Sequence, residues 1–183
     1  MKEFILEFVV MMVLALPVWL LFRRPLRHWC RREAAVLAFA LFMVALLVLA
    51  LRGEYGPPSV LILRALERWQ VRDRINLKPF YTIRTFFRHT PTSVFLVNIV
   101  GNLVMFMPWG FGLVLLWKKN RRLWRLCLLA ILLTVGIETV QLFINRHVDV
   151  DDLILNFAGA LLGAGLWAVL RRWFPILDTF TKT

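Results

Sequence analysis

The chain has 183 residues, 60% of them hydrophobic, and a formal net charge of +12. That apolar fraction exceeds the ~45–50% of soluble domains, which argues against an ordinary water-soluble globule, and the length holds one compact unit over 1–183 with no second domain of ordinary size. The basic excess would suit nucleic acid, but Lys and Arg stand in blocks at the ends of apolar runs, where membrane proteins carry orientation signals, so no nucleic-acid partner is expected.

A helix crossing a bilayer needs ~20 mostly apolar residues. Five stretches qualify, at 4–22, 34–51, 94–117, 123–144 and 153–170. They predict an all-α integral membrane protein, a bundle of about five transmembrane helices. The first stretch contains Glu7 and Pro17 and has no small-x-small site ahead of Arg23 and Arg24, so it reads as a retained anchor rather than a cleaved signal. A long connection, 52–93, joins the second and third. Within it, 60–70 puts Ile62, Leu66 and Trp69 on one face, while Arg64, Arg68 and Arg72 share another. Such a segment either lies in the headgroup plane or packs on top of the bundle. A turn with an aromatic anchor follows at 76–80.

The basic blocks set the orientation. Arg23, Arg24, Arg27, Arg31 and Arg32 follow the first span, Lys118, Lys119, Arg121, Arg122 and Arg125 follow the third, and Arg171 and Arg172 follow the fifth. With five spans all three blocks fall on one side, which the positive-inside rule makes cytoplasmic. The N-terminus and the 52–93 connection are then outside and the C-terminus inside. The Lys and Arg of that connection run against the rule, partly balanced by Glu54, Glu67 and Asp73. Cys30 and Cys127 fall on the reducing side, where no disulfide is expected, and they have no metal-site spacing.

The polar residues gather between 136 and 163. In lipid a carboxylate or amide is expensive unless it faces protein or water, so a cluster there is a functional-site candidate. On the fourth span Thr134, Glu138, Gln141 and Asn145 follow steps of four, three and four and form one stripe. Asn98 and Asn102 make a second stripe on the third span, and Asp152 and Asn156 a third on the fifth. Singly, each amide would serve to bond across helices, at ~0.6 kcal/mol on average. Three stripes at one depth, joined by a turn carrying Arg146, Asp149 and Asp151, argue for a site.

These residues resemble the VanZ-like family. Its pattern is matched by Asn-Leu-x-Pro-Phe at 76–80, Asn-x-x-Gly-Asn-x-x-x-Phe-x-Pro-x-Gly at 98–110, Glu-x-x-Gln at 138–141 and Asp-x-Asp-Asp-x-x-x-Asn-x-x-Gly at 149–159, in that order. The resemblance implies an integral membrane protein. The family's namesake is associated with reduced susceptibility to teicoplanin, a lipid-bearing glycopeptide antibiotic acting at the outer face on cell-wall precursors. No settled biochemical activity comes with it.

Three readings of the site follow. In the first, Asn98, Asn102, Gln141, Arg146, Asp152 and Asn156, with walls such as Phe106 and Trp109, bind an amphiphilic or lipid-linked ligand at the outer leaflet, beside membrane lipids. In the second, Asp149 and Asp151 hold a divalent cation through oxygen ligands while Glu138, desolvated, acts as general acid or base with them on a lipid-linked envelope molecule. In the third the cluster is structural, and Asp152 caps the last span. Oligomeric state is not readable from the sequence.

Overall fold

The computed structural model describes residues 31–50, 75–89, 91–143 and 148–181. The expected first span at 4–22, the expected amphipathic helix at 60–70, Cys30 and Arg146 lie outside the described residues. Among those residues the order is α1 (Arg31–Ala50), β1 (Ile75–Asn76), α2 (Tyr81–His89), α3 (Thr92–Leu116), a 3-10 turn (Lys118–Arg121), α4 (Leu123–Phe143), β2 (Val148–Asp149), α5 (Val150–Trp173) and a 3-10 turn (Pro175–Phe180).

Four of these helices are long and apolar enough to cross a membrane: α1, α3 over Asn98–Leu116, α4 over Leu123–Leu142, and α5. Their outward faces carry exposed Leu96 and Val104 on α3, Leu128 and Leu132 on α4, and Leu162 and Val169 on α5. In water so much exposed apolar surface would drive association. Against acyl chains it is the surface expected, because the helices satisfy their own backbone groups.

The pair α3–α5 is the centre of the bundle. Gly110, Gly159 and Gly163 let the two backbones touch: a Cβ on Gly110 would lie 1.9 Å from the Ala160 carbonyl oxygen, and one on Gly163 1.9 Å from that of Met107. Small residues bring membrane helices together in this way, since burial of apolar surface gives no drive when lipid is the alternative. Phe106, Trp109, Leu113, Ala160 and Trp167 fill the core along this seam. Pro108 sits inside α3.

Two contacts fix the direction of α1. The Phe39 ring meets Trp117 edge-on at 5.6 Å, and Gln141 Nε2 donates to the Ala50 carbonyl at 2.7 Å. The start of α1, the end of α3, the start of α4 and the end of α5 therefore share one end of the bundle. Arg31, Arg32, Lys118, Lys119, Arg122, Arg125, Arg171 and Arg172 all stand there. At this basic end Arg121 donates to the Val114 carbonyl at 3.1 Å, to Asp178 at 3.0 Å and to Thr181 at 2.6 Å. Thr181 in turn donates to the Leu115 carbonyl at 2.9 Å. Carbonyls left over in the last turn of α3 are thus satisfied by the returning C-terminal segment.

The four spans that fall within the described residues begin and end within a few residues of their expected places. The region 75–93, expected to be loop with a turn, is different. It contains α2, the two-residue strand β1 paired in parallel with β2 (Ile75 beside Val148, Asn76 beside Asp149), and the first turn of α3. A helix of nine residues is marginal alone, and its first amides are bound by Asp151, 68 to 71 residues further along the chain.

Candidate functional site at the polar end

The end opposite the basic blocks collects the polar residues. Asp149 adopts extended backbone (φ −127°, ψ 125°) and is the N-cap of α5, its side chain accepting from the Asp151 amide at 2.9 Å. The same carboxylate accepts from Asn76 Nδ2 at 3.3 and 3.4 Å and from the Thr82 hydroxyl. Asn76 holds the neighbouring turn, its Oδ1 accepting from the Lys78 amide at 3.1 Å.

Asp151 lies within the first turn of α5, yet its side chain serves α2. Only 1% exposed, it accepts from the Phe80 amide, from Thr82 N at 2.8 Å and from Ile83 N at 3.0 Å. These are amides at the start of α2, which have no partner inside the helix, and their positive end favours a carboxylate. Phe80 enters at φ 61°, a conformation that costs a bulky residue energy, and its amide is among those Asp151 binds. Two aspartates thus staple the 76–83 segment to the head of α5.

Asp152 has a third job. It accepts from Asn102 Nδ2 of α3 at 2.7 Å, on the same face as exposed Asn98 one turn earlier. The expected cap at Asp152 is therefore corrected. The chain is still extended at Val148–Asp149, so the residue that precedes the first helical turn, and can bend back onto its amides, is Asp149.

Below this lie buried polar groups. Asn156, four residues after Asp152 and on its face, is 5% exposed, and its Oδ1 has no hydrogen-bond partner among the described residues. Glu138 and Gln141 on α4 are 5% and 7% exposed. Thr134, fully buried, returns its hydroxyl to the Ala130 carbonyl at 2.9 Å. Thr134, Glu138 and Gln141 of the expected α4 stripe accordingly face protein, while Asn145 lies outside the described residues. Phe106 and Trp109, expected as pocket walls, belong instead to the packed core.

The donor set does not fit a divalent cation on Asp149 and Asp151. Each of their four oxygens already accepts from a protein N–H or O–H, and a cation would displace α2. Among the described residues no group of three or more His, Cys, Asp or Glu gathers in metal-ligating geometry. The residue sequence reasoning missed is Thr82, whose hydroxyl accepts from Asn76 at 3.1 Å and donates to Asp149. A hydroxyl at the start of a short amphipathic run was its only signal.

The family model for VanZ/LLP1 matches residues 36–171. No curated protein and no solved structure matches the chain.

Proposed function

This chain belongs to the VanZ/LLP1 family, and from that membership we propose that it is a cell-envelope membrane protein whose polar end takes the headgroup of an amphiphilic or lipid-linked molecule at the outer leaflet. The observation that carries the reading is Asn156 Oδ1, a buried carbonyl oxygen without a donor among the described residues. Leaving such an acceptor unmade costs ~1–3 kcal/mol, and an arriving hydroxyl or amine would recover it. Asp152 one turn above and buried Glu138 on α4 add acceptors, which suits a sugar or amino headgroup. Leu96 and Val104 on the lipid-facing side of α3 leave an acyl tail in its own solvent.

Within this reading the acidic turn divides. Asp149 and Asp151 hold the rim in shape, while Asn156 and Glu138 meet the ligand. Reduced susceptibility to teicoplanin-type lipoglycopeptides is one outcome of such binding. The test compares binding of teicoplanin and of its deacylated form to the purified full-length protein. The intact compound should bind and the deacylated form bind at least about tenfold more weakly, and Asn156→Leu, which removes an unmatched acceptor, should weaken binding without lowering the melting temperature. Equal binding of both forms, or full binding by Asn156→Leu, refutes the reading.

A further inference from the structure

A groove lies at the other end of the molecule. It runs between α1, the end of α3 and the start of α4 and has a volume of about 610 Å³, within the ~300–1,000 Å³ range of small-molecule sites. It is lined by apolar Phe39, Leu113 and Leu128 and by the cations Lys119 and Arg125. We infer that this groove binds an anionic phospholipid, its phosphate held by Lys119 and Arg125 and its acyl chain lying along Phe39 and Leu128.

Charge is the first ground. The nearby carboxylates are already taken: Asp178 by Arg121 at 3.0 Å and Glu33 by Arg32 at 3.3 Å. Among the described residues neither Lys119 nor Arg125 pairs with a carboxylate. The Arg125 guanidinium rests 5.0 Å over the Trp124 ring, which orients its planar fork and leaves its donors for an anion. Basic pockets between membrane helices are suited to acidic headgroups, each Lys or Arg near the surface contributing to the attraction.

Depth is the second. Lys119 follows the last apolar residues of α3 within one turn, and Arg125 stands in the first turn of α4, so both lie at headgroup level. Trp117 and Trp124 line the groove at that level, the depth tryptophan prefers. The apolar lining continues into Leu128, 48% exposed on the lipid-facing side of α4. A free phosphate would leave that lining unused, whereas a lipid covers the cations and the apolar lining together. The inference does not depend on which side of the membrane the basic end faces.

The test is a titration of the full-length protein in neutral detergent, read by native mass spectrometry, with phosphatidylglycerol, phosphatidylcholine and inorganic phosphate. Phosphatidylglycerol should bind at least about tenfold more tightly than phosphatidylcholine, and Lys119→Gln and Arg125→Gln should each weaken it about fivefold. Lys78→Gln and Arg84→Gln at the opposite end should leave it unchanged. Leu128→Trp, which fills the apolar wall and keeps both cations, should weaken it as well. Equal binding of the two lipids, an unchanged preference in the Lys119 and Arg125 variants, or competition by inorganic phosphate alone would overturn the inference. So would photo-crosslinking from position 128 to the 4–22 segment or to a second copy of the chain in place of lipid.

Discussion

Asp151 accepts from three backbone amides with two oxygens and is almost fully enclosed. Asparagine has the same shape, but it replaces one acceptor by a donor facing amides that are themselves donors. Hydrogen bonds to a charged group are worth ~1.5–3 kcal/mol, and a buried donor left unmade adds to the loss. Asp151→Asn is therefore expected to destabilise by at least about 1.5–3 kcal/mol, read as a fall in melting temperature in detergent. Asp149→Asn keeps a good N-cap residue but turns one acceptor into a donor facing Asn76 Nδ2 and the Thr82 hydroxyl, and should cost ~0.5–1.5 kcal/mol. Asp152→Asn, which weakens the side-chain bond to Asn102, should cost least. The reverse order would remove the staple from Asp149 and Asp151 and return it to Asp152. Glu138→Gln should leave the melting temperature near that of the parent while abolishing teicoplanin binding, and a variant that fails to fold would favour a structural role for that residue. The acidic turn was visible in the sequence because charges in so apolar a chain stand out. The division of labour was not, since the partners of Asp151 lie 68 to 71 residues away and no local pattern encodes them.

At the scale of elements, the α3–α5 seam coincides with Gly159-x-x-x-Gly163 and the glycines on either side of Pro108, a small-residue pattern of the kind that packs membrane helices. What the motif does not tell is which glycines touch. Gly163 has no room for a methyl group, its Cβ position lying 1.9 Å from the Met107 carbonyl oxygen, whereas at Gly165, Gly136 and Gly101 nothing among the described residues lies within 4 Å. Gly163→Ala should force the helices apart and cost at least about 1–3 kcal/mol, as overpacking does. Gly165→Ala should be neutral or stabilise by up to ~1 kcal/mol through helix propensity. Thermal melting of the two variants side by side decides it, and equal effects would mean that the seam is not close-packed. The helix α2 was missed for the opposite reason. Its apolar residues Ile83, Phe86 and Phe87 alternate with Arg84 and Arg88 at helical spacing, but nine residues make a weak periodic signal, and the carboxylate that caps it is distant. Sitting two residues before α3, with exposed Phe80, Tyr81 and Phe87 beside Lys78 and Arg88, α2 has the make-up proposed for an interfacial helix at a place other than 60–70.

For the whole molecule, the arrangement of the helices bears on its orientation. α1 and α4 run from the basic end to the polar end, and α3 and α5 run back, so the basic blocks are gathered at one end by the fold as well as by sequence counting. Against them stand Lys78, Arg84 and Arg88 at the polar end. The basic end should prevail, because its residues sit directly at the ends of four apolar helices and in short connections, where Lys and Arg count most. The basic end is then expected in the cytoplasm and the polar end outside. The measurement uses single cysteines at Lys78 and Lys119, both exposed, in a background with Cys30 and Cys127 changed to serine. Position 78 should react with an impermeant maleimide in intact cells or spheroplasts, and position 119 only after permeabilisation. If position 119 reacts while 78 stays silent, the polar end faces the cytoplasm. The proposed outer-leaflet ligand then fails with the orientation, whereas the lipid groove at the basic end, argued from charge and depth alone, stands.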